Sequence, residues 1–119
     1  VTDHAPHAPH EKEEPLDEAP QGIMGLETAL PLTYALVRDG VIGEKQMIAL
    51  WSAGPARVFN PPVNAMRAGD MADFALFDPD AEWTLDETTV KTKGRNTPLW
   101  GKTVRGRVTA NFVGGVKVV

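Results

Sequence analysis

Two adjacent prolines, Pro61 and Pro62, separate stretches of the chain that have different apolar periods. Proline has no amide hydrogen and a fixed φ, and it drives the residue before it out of the helical region. The pair can therefore sit neither inside a helix nor within a central strand. Ahead of it, Leu26, Leu30, Thr33 and Val37 recur at helical spacing. Thr28 stands where an N-cap would be, Pro31 falls in the tolerant first turn and Gly40 at the stop, so a helix is expected from Leu26 to Val37. A second is expected from Glu44 to about Ser52, with Met47, Ile48 and Trp51 on one face. Gly54-Pro55 is expected to end it and begin a short helical turn through Phe59.

Past the prolines the pattern becomes that of strands. Ala72 to Phe77 is a buried-type apolar run closed by Asp78-Pro79-Asp80, and Trp83 and Leu85 alternate with polar residues. Strands over 104–112 and 116–119 meet at Gly114-Gly115, a hairpin signal. Along the first of these, Val104, Val108, Ala110 and Phe112 alternate with Arg105, Arg107, Thr109 and Asn111, as on a sheet with one buried and one wet face.

The other end of the chain is different in kind. Residues 4–25 carry four prolines, His4, His7, His10 and a dense acidic patch, which reads as a long irregular loop. Just before it, the short lead Val1-Thr2 runs into Asp3. An apolar lead, an acid and a proline-bounded loop are what a strand end of a (β/α)8 barrel looks like, and catalytic groups sit at such ends. The fold class expected is α/β. Residues 1–60 would be a barrel remnant of strand end, loop and helices, and 61–119 a small β unit. A complete barrel needs about 250 residues. With 119 residues the chain is expected to be a fragment of a longer parent enzyme.

Composition excludes several classes. There is no run of about 18 apolar residues to span a membrane. The absence of cysteine excludes disulfides and thiolate metal sites, so a bound metal must use histidine and carboxylate. Residues 88–119 hold seven basic residues and no acid. Their alternation with apolar residues is that of a sheet face, and without aromatic interleaving or a known module no nucleic-acid partner is expected.

Thr2-Asp3-His4-Ala5-Pro6-His7 with Glu11-Lys12 is followed by Gly22-Ile23-Met24-Gly25-Leu26-Glu27-Thr28-Ala29-Leu30-Pro31-Leu32 and by Pro55-Ala56-Arg57. Gly69-Asp70-Met71-Ala72-Asp73 and Asn96-Thr97-Pro98 before Gly101 come later in the chain. In order and spacing these pieces resemble the C-terminal part of a dihydroorotase, of the amidohydrolase superfamily, over nearly the whole chain. The Asp-His-Ala-Pro-His core is fairly specific, whereas the Ala-Asp near Gly69 is shared widely among amidohydrolases.

The resemblance implies a cytoplasmic, zinc-dependent hydrolase of pyrimidine biosynthesis with one or two Zn2+ per parent active site. Its reaction is the reversible cyclisation of N-carbamoyl-L-aspartate to L-dihydroorotate with loss of water. By resemblance, Asp3 is both a metal ligand and the catalytic base, His7 holds a substrate carboxylate through a charge-assisted hydrogen bond, and Gln21 and Gly22 contact the substrate. Many relatives carry an aromatic residue where Gln21 stands. The family's remaining ligands, a His-x-His and further residues from earlier strands, have no counterpart here, so the chain alone is expected to be inactive. Implied partners are the small-molecule substrate, the rest of the barrel, a homo-oligomeric parent and aspartate carbamoyltransferase.

Other readings compete for the same residues. A lone Asp before proline often forms a turn, and a loop His often bonds its own backbone. In a polyproline II conformation His4, His7 and His10 would line one side, but rings one turn apart are about 9 Å from each other, too far to chelate one ion. Glu11 and Lys12 are expected to shape the loop by ion pairing, and Asn96-Thr97-Pro98 to fix a turn. Gly22-x-x-Gly25 is too common to identify a nucleic-acid clamp. Rival functions are a non-catalytic module supporting aspartate carbamoyltransferase assembly and a related cyclic amidohydrolase (dihydropyrimidinase, hydantoinase or allantoinase).

Overall fold

The computed structural model describes residues 2–61 and 66–119. Val1 of the proposed strand lead and Pro62 of the proline pair lie outside the described residues. In chain order the elements are α1 (Pro9–Lys12), α2 (Ala29–Arg38), α3 (Glu44–Ile48), a π-helical stretch (Ala49–Ala53), α4 (Gly54–Phe59), β1 (Phe74–Thr84), β2 (Thr103–Val113) and β3 (Val116–Lys117). The strands form one antiparallel sheet in the order β1-β2-β3.

Helix α2 has the expected caps. Thr28 is the N-cap, although its side chain makes no capping bond, and Pro31 is buried in the first turn. Leu26 to Thr28 form a turn instead of helix, with the Ala29 amide donating to the Gly25 carbonyl at 2.8 Å. The expected break at Gly54-Pro55 is absent, since helical residues run on from Glu44 to Phe59. An α-turn would press the Pro55 ring against the Trp51 carbonyl. The π-helical turns directly before it widen the helix, and the Gly54 amide donates to Ala49, five residues back. The helix stops at Asn60, which is left-handed at φ 47°.

The sheet also departs from expectation at one point. Asp78-Pro79-Asp80 does not close the first strand; β1 runs through it and shifts register between Asp78 and Glu82. The Asp78 carboxylate accepts the amides of Asp80 (2.9 Å) and Ala81 (3.2 Å), satisfying backbone groups that the bulge takes out of the ladder. Nor is the run before it fully buried, for Leu76 is half exposed. Alternation along β2 holds from Val104 to Ala110, with Val104 and Ala110 buried and Arg105, Arg107 and Thr109 exposed, and lapses at Asn111 and Phe112, which are both partly buried.

Helix α2 lies on this sheet. Tyr34 packs on Phe77 with ring centroids 5.3 Å apart, and Arg38 reaches the carbonyls of Pro79 and Arg105. The approach depends on Gly106, which has φ 108° and accepts the Trp83 indole N–H at 2.8 Å. A Cβ there would lie 2.7 Å from Phe77 Cζ and 3.4 Å from Pro31. The core proper joins Met24 to Trp83, Leu85, Val90 and Val104, flanked by Leu99 and Trp100. The chain following the long loop thus shares a core with residues of the sheet. Gly106→Ala is expected to lower stability by roughly 1–3 kcal/mol, through overpacking and a strained φ. Urea unfolding checks this, and an unchanged midpoint would mean that Phe77 and Pro31 yield without cost.

Candidate active-site loop

The long loop is closed on itself. His4 and Ile23 form a parallel bridge, and the Ala5 amide donates to the Ile23 carbonyl at 3.0 Å. His4 Nδ1 accepts the amides of Gly25 (3.0 Å) and Leu26 (3.2 Å). Its imidazole therefore staples the two ends of the loop together and presents no free Nδ1.

Asp3 and His7 flank this staple, and both are exposed. Both are left-handed, at φ 45° and φ 55°. Such backbone costs on the order of 1–3 kcal/mol per residue, and it persists where surrounding contacts overdetermine it, often at functional sites. The left-handed His7 also rules out a continuous polyproline II run, because that helix needs negative φ throughout. His10 sits in α1, so the three imidazoles do not share one side. Among the described residues, no group of three or more His, Asp or Glu side chains is placed to hold a metal ion.

Glu11 and Lys12 do shape the loop, Glu11 by a backbone hydrogen bond and at salt-bridge distance from His7, Lys12 through backbone carbonyls. Glu11 accepts the Ala8 amide at 2.6 Å and stands 4.0 Å from His7 Nδ1. The Ala8 hydrogen bond holds the Glu11 carboxyl below its ordinary range, opposed by desolvation and helped by His7 and His10. Lys12 Nζ donates to the carbonyls of Pro20 and, at 3.0 Å, Gly22. These interactions are those available to a cation and an anion whose nearest partners are unpaired loop amides and carbonyls.

Gly22 has φ 119°, and a Cβ on it would stand 2.5 Å from the Ala5 carbonyl oxygen. Only glycine lets this strand of the loop lie so close to the Asp3–His7 segment. Asn96 Nδ2 donates to the Gly22 carbonyl at 2.7 Å, and the Asn96 carbonyl accepts the Met24 amide at 2.9 Å. Gly94 packs against the Pro6 ring, where a Cβ would come within 2.5 Å. Residues 94–96 thus grip the loop from the other end of the chain. Sequence reading assigned Asn96-Thr97-Pro98 a turn, and Thr97 Oγ1 does accept the Leu99 amide at 3.3 Å. The cross-chain role of Asn96 and Gly94 had no signal in linear spacing.

A cavity of about 250 Å³ is lined by His7, Pro9, Lys12, Arg95 and Asn96. Asp3, Gln21 and Gly22 are not among its lining residues. The structure therefore gathers His7 with basic and amide groups and sets Asp3 apart. Arg95 lies over the Trp100 ring, 5.2 Å from its centroid, and donates to the Thr92 and Gly94 carbonyls. The Ala72-Asp73 motif belongs to the sheet instead: Asp73 Oδ1 accepts the Gly114 amide at 2.6 Å and the Ala72 carbonyl accepts that of Gly115.

Comparison with known proteins now bears on this arrangement. The dihydroorotase of Anaeromyxobacter dehalogenans (strain 2CP-C) is 47% identical over 115 residues, covering 97% of this chain. That of Aquifex aeolicus is 44% identical over 118 residues, and that of Chlorobaculum tepidum 49% over 108. Over almost its whole length the chain is similar to part of a dihydroorotase. It spans 27%, 28% and 25% of the length of these three relatives respectively. A solved D-hydantoinase structure superposes with a TM-score of 0.76 at 26% identity, over 92% of this chain and 24% of that one. No protein-family model matches the sequence. Dihydroorotases and D-hydantoinase are hydrolases, in keeping with the amidohydrolase reading. No helix among the described residues is long and apolar enough to cross a membrane.

The family segment Gly25-Leu26-Glu27-Thr28 has a structural role as well. Glu27 accepts hydrogen bonds from the amides of Lys91 (3.2 Å) and Thr92 (2.7 Å) and from the Thr92 hydroxyl (2.8 Å). Burial alone would raise its pKa, but the Thr92 hydroxyl and the amides outweigh burial and hold it below the ordinary value. A depressed carboxylate contributes stability above its unfolded pKa and loses that contribution as pH falls through the folded one. Glu27→Gln is expected to cost about 1–2 kcal/mol at neutral pH. The gap from the wild-type chain should shrink at about pH 3, below the ordinary glutamate range. Urea midpoints at both pH values test this, and a pH-independent gap would exclude the ionised carboxylate as its source.

Proposed function

We propose that this chain is the C-terminal part of a dihydroorotase, which interconverts N-carbamoyl-L-aspartate and L-dihydroorotate plus water in the cytoplasm as a step of pyrimidine biosynthesis. Identity of 47% across 97% of the chain to a dihydroorotase carries the reading. Residues 1–60 supply the last strand end, active-site loop and helices of a (β/α)8 barrel, and 61–119 contribute to a small β-sandwich domain. The likeness to D-hydantoinase supports the same architecture and keeps a related cyclic amidohydrolase as the second reading.

In this reading Asp3 is the proton carrier. In the hydrolytic direction its carboxylate takes a proton from the water that attacks the ring amide carbon and passes it to the departing ring nitrogen. In ring closure it takes the proton of the attacking ureido nitrogen and returns it to the hydroxyl that leaves as water. Its exposed position leaves the carboxylate open to substrate and water. His7 holds the ring carboxylate through a charge-assisted hydrogen bond, with Arg95 in the lining of the same cavity. Gln21 and Gly22 offer substrate contacts from the facing strand of the loop.

The likeness to dihydroorotases also implies zinc, which supplies a water of lowered pKa when bound. One carboxylate is short of the three or four protein ligands that zinc takes, and the described residues contain no metal-holding cluster. The residues present do not make up a zinc site. Asp3 would be one ligand of a site completed by other strands of a homo-oligomeric parent, for which aspartate carbamoyltransferase is a candidate partner.

The test joins this chain to the part of the Anaeromyxobacter dehalogenans enzyme that it does not match. The joined protein is expected to turn over N-carbamoyl-L-aspartate, and the 119-residue chain alone is not. Asp3→Asn should reduce the rate by about 10²–10⁴-fold, the usual contribution of a positioned acid–base group. Turnover of hydantoin in preference to carbamoyl-aspartate would favour the second reading, and an unimpaired Asp3→Asn protein would remove Asp3 from the chemistry.

A further inference from the structure

We propose that Lys12 and Asn96 are positioning residues that fix the substrate loop through one shared acceptor, the carbonyl oxygen of Gly22. The proposal rests on the dihydroorotase reading for its catalytic consequence, although not for its structural one.

The Gly22 carbonyl receives Asn96 Nδ2 at 2.7 Å and Lys12 Nζ at 3.0 Å. A carbonyl oxygen has two lone pairs, so two donors occupy it fully, and the lysine bond is charge-assisted. The donors come from opposite sides of the loop: Lys12 ends α1, while Asn96 lies 74 residues further along the chain than Gly22. Lys12 also donates to the Pro20 carbonyl. The carbonyls on either side of Gln21 are thereby held by one ammonium group, which fixes the peptide that presents Gln21.

Gly22 in turn bears directly on Ala5, midway between Asp3 and His7. The space a Cβ would need at Gly22 is already filled by the Ala5 carbonyl and Cβ. A shift of Gly22 must therefore move Ala5 or lose contact with it, and the left-handed residues on both sides of Ala5 depend on that packing. Glu11, the neighbour of Lys12, holds the Ala8 amide just beyond His7. The Glu11-Lys12 pair thus pins both strands of the loop, the acid on the His7 side and the base on the Gly22 side. Lys12 lines the cavity beside His7, but its ammonium group is turned to two carbonyls, which is why its role is placement and not substrate contact.

The experiment has two arms. In the 119-residue chain, ¹⁵N NMR of Lys12→Met and Asn96→Ala is expected to shift the amides of Ala5, Gln21 and Gly22 and leave those of Leu85 and Val104 in place. Lys12→Arg, which can still donate to both carbonyls, should restore the wild-type positions. Unmoved loop amides, or shifts spread evenly through the core, would overturn the proposal. In the joined enzyme, Lys12→Met should raise KM for carbamoyl-aspartate on the order of tenfold or more, with a smaller change in kcat and recovery in Lys12→Arg. Equal loss in Lys12→Met and Lys12→Arg would overturn the positioning role. A joined enzyme with no wild-type turnover would count against the dihydroorotase reading alone, and the NMR arm would still decide the clamp.

Discussion

The fold of the candidate site depends on a pair of hydrogen bonds between segments far apart in sequence. Asn96 accepts from Met24 through its backbone and donates to Gly22 through its side chain. These bonds set residues 22–24 against residues 94–96, and the fully buried Met24 carries the register into the core with Leu85 and Trp83. The His4 staple, the Ile23 bridge and the packing of Pro6 on Gly94 and of Ala5 on Gly22 add to that anchor in holding the Asp3–His7 segment. An irregular loop has no ladder of its own, so its backbone groups must find partners elsewhere, and here they find them in side chains at both ends of the chain.

This arrangement divides His4, Lys12 and Glu11 from Asp3 and His7. His4 bonds two amides, Lys12 bonds two carbonyls and Glu11 bonds one amide. Asp3 and His7 remain exposed, and both hold strained backbone. The division fits the proposed roles of Asp3 and His7, since polar groups spent on shape cannot also serve substrate.

The large apolar residues left on the surface fit a chain that spans about a quarter of its relatives' length. Leu50, Trp51, Val58 and Phe59, together with Leu32 and Leu36 of α2, are exposed. On the helical face read from sequence, Met47 is buried while Ile48 and Trp51 are exposed, so the shared face was legible while its burial was not. Amphipathic spacing tells which residues share a face, but whether that face is covered depends on what packs against it.

Much of the secondary structure was legible because its causes are local. Thr28, Pro31 and Gly40 bound α2, and the alternation from Val104 to Phe112 marks β2, since capping, proline sterics and side-chain period act within a few residues. The unbroken helix across Gly54-Pro55 and the bulge at Asp78-Pro79-Asp80 were missed. In each, a neighbouring irregularity, the π-helical turns or the Asp78 carboxylate, accommodates a proline that local rules read as a terminator. Asp3, His7 and Gly22 stood out by their resemblance to a family pattern, and sequence alone placed them on one loop. Only the tertiary structure decided that Asn96 and Lys12 meet at the Gly22 carbonyl, that His4 is a staple and that Asp3 lies outside the cavity of His7. Hydrogen bonds between residues many positions apart are fixed by packing, on which linear spacing carries no information.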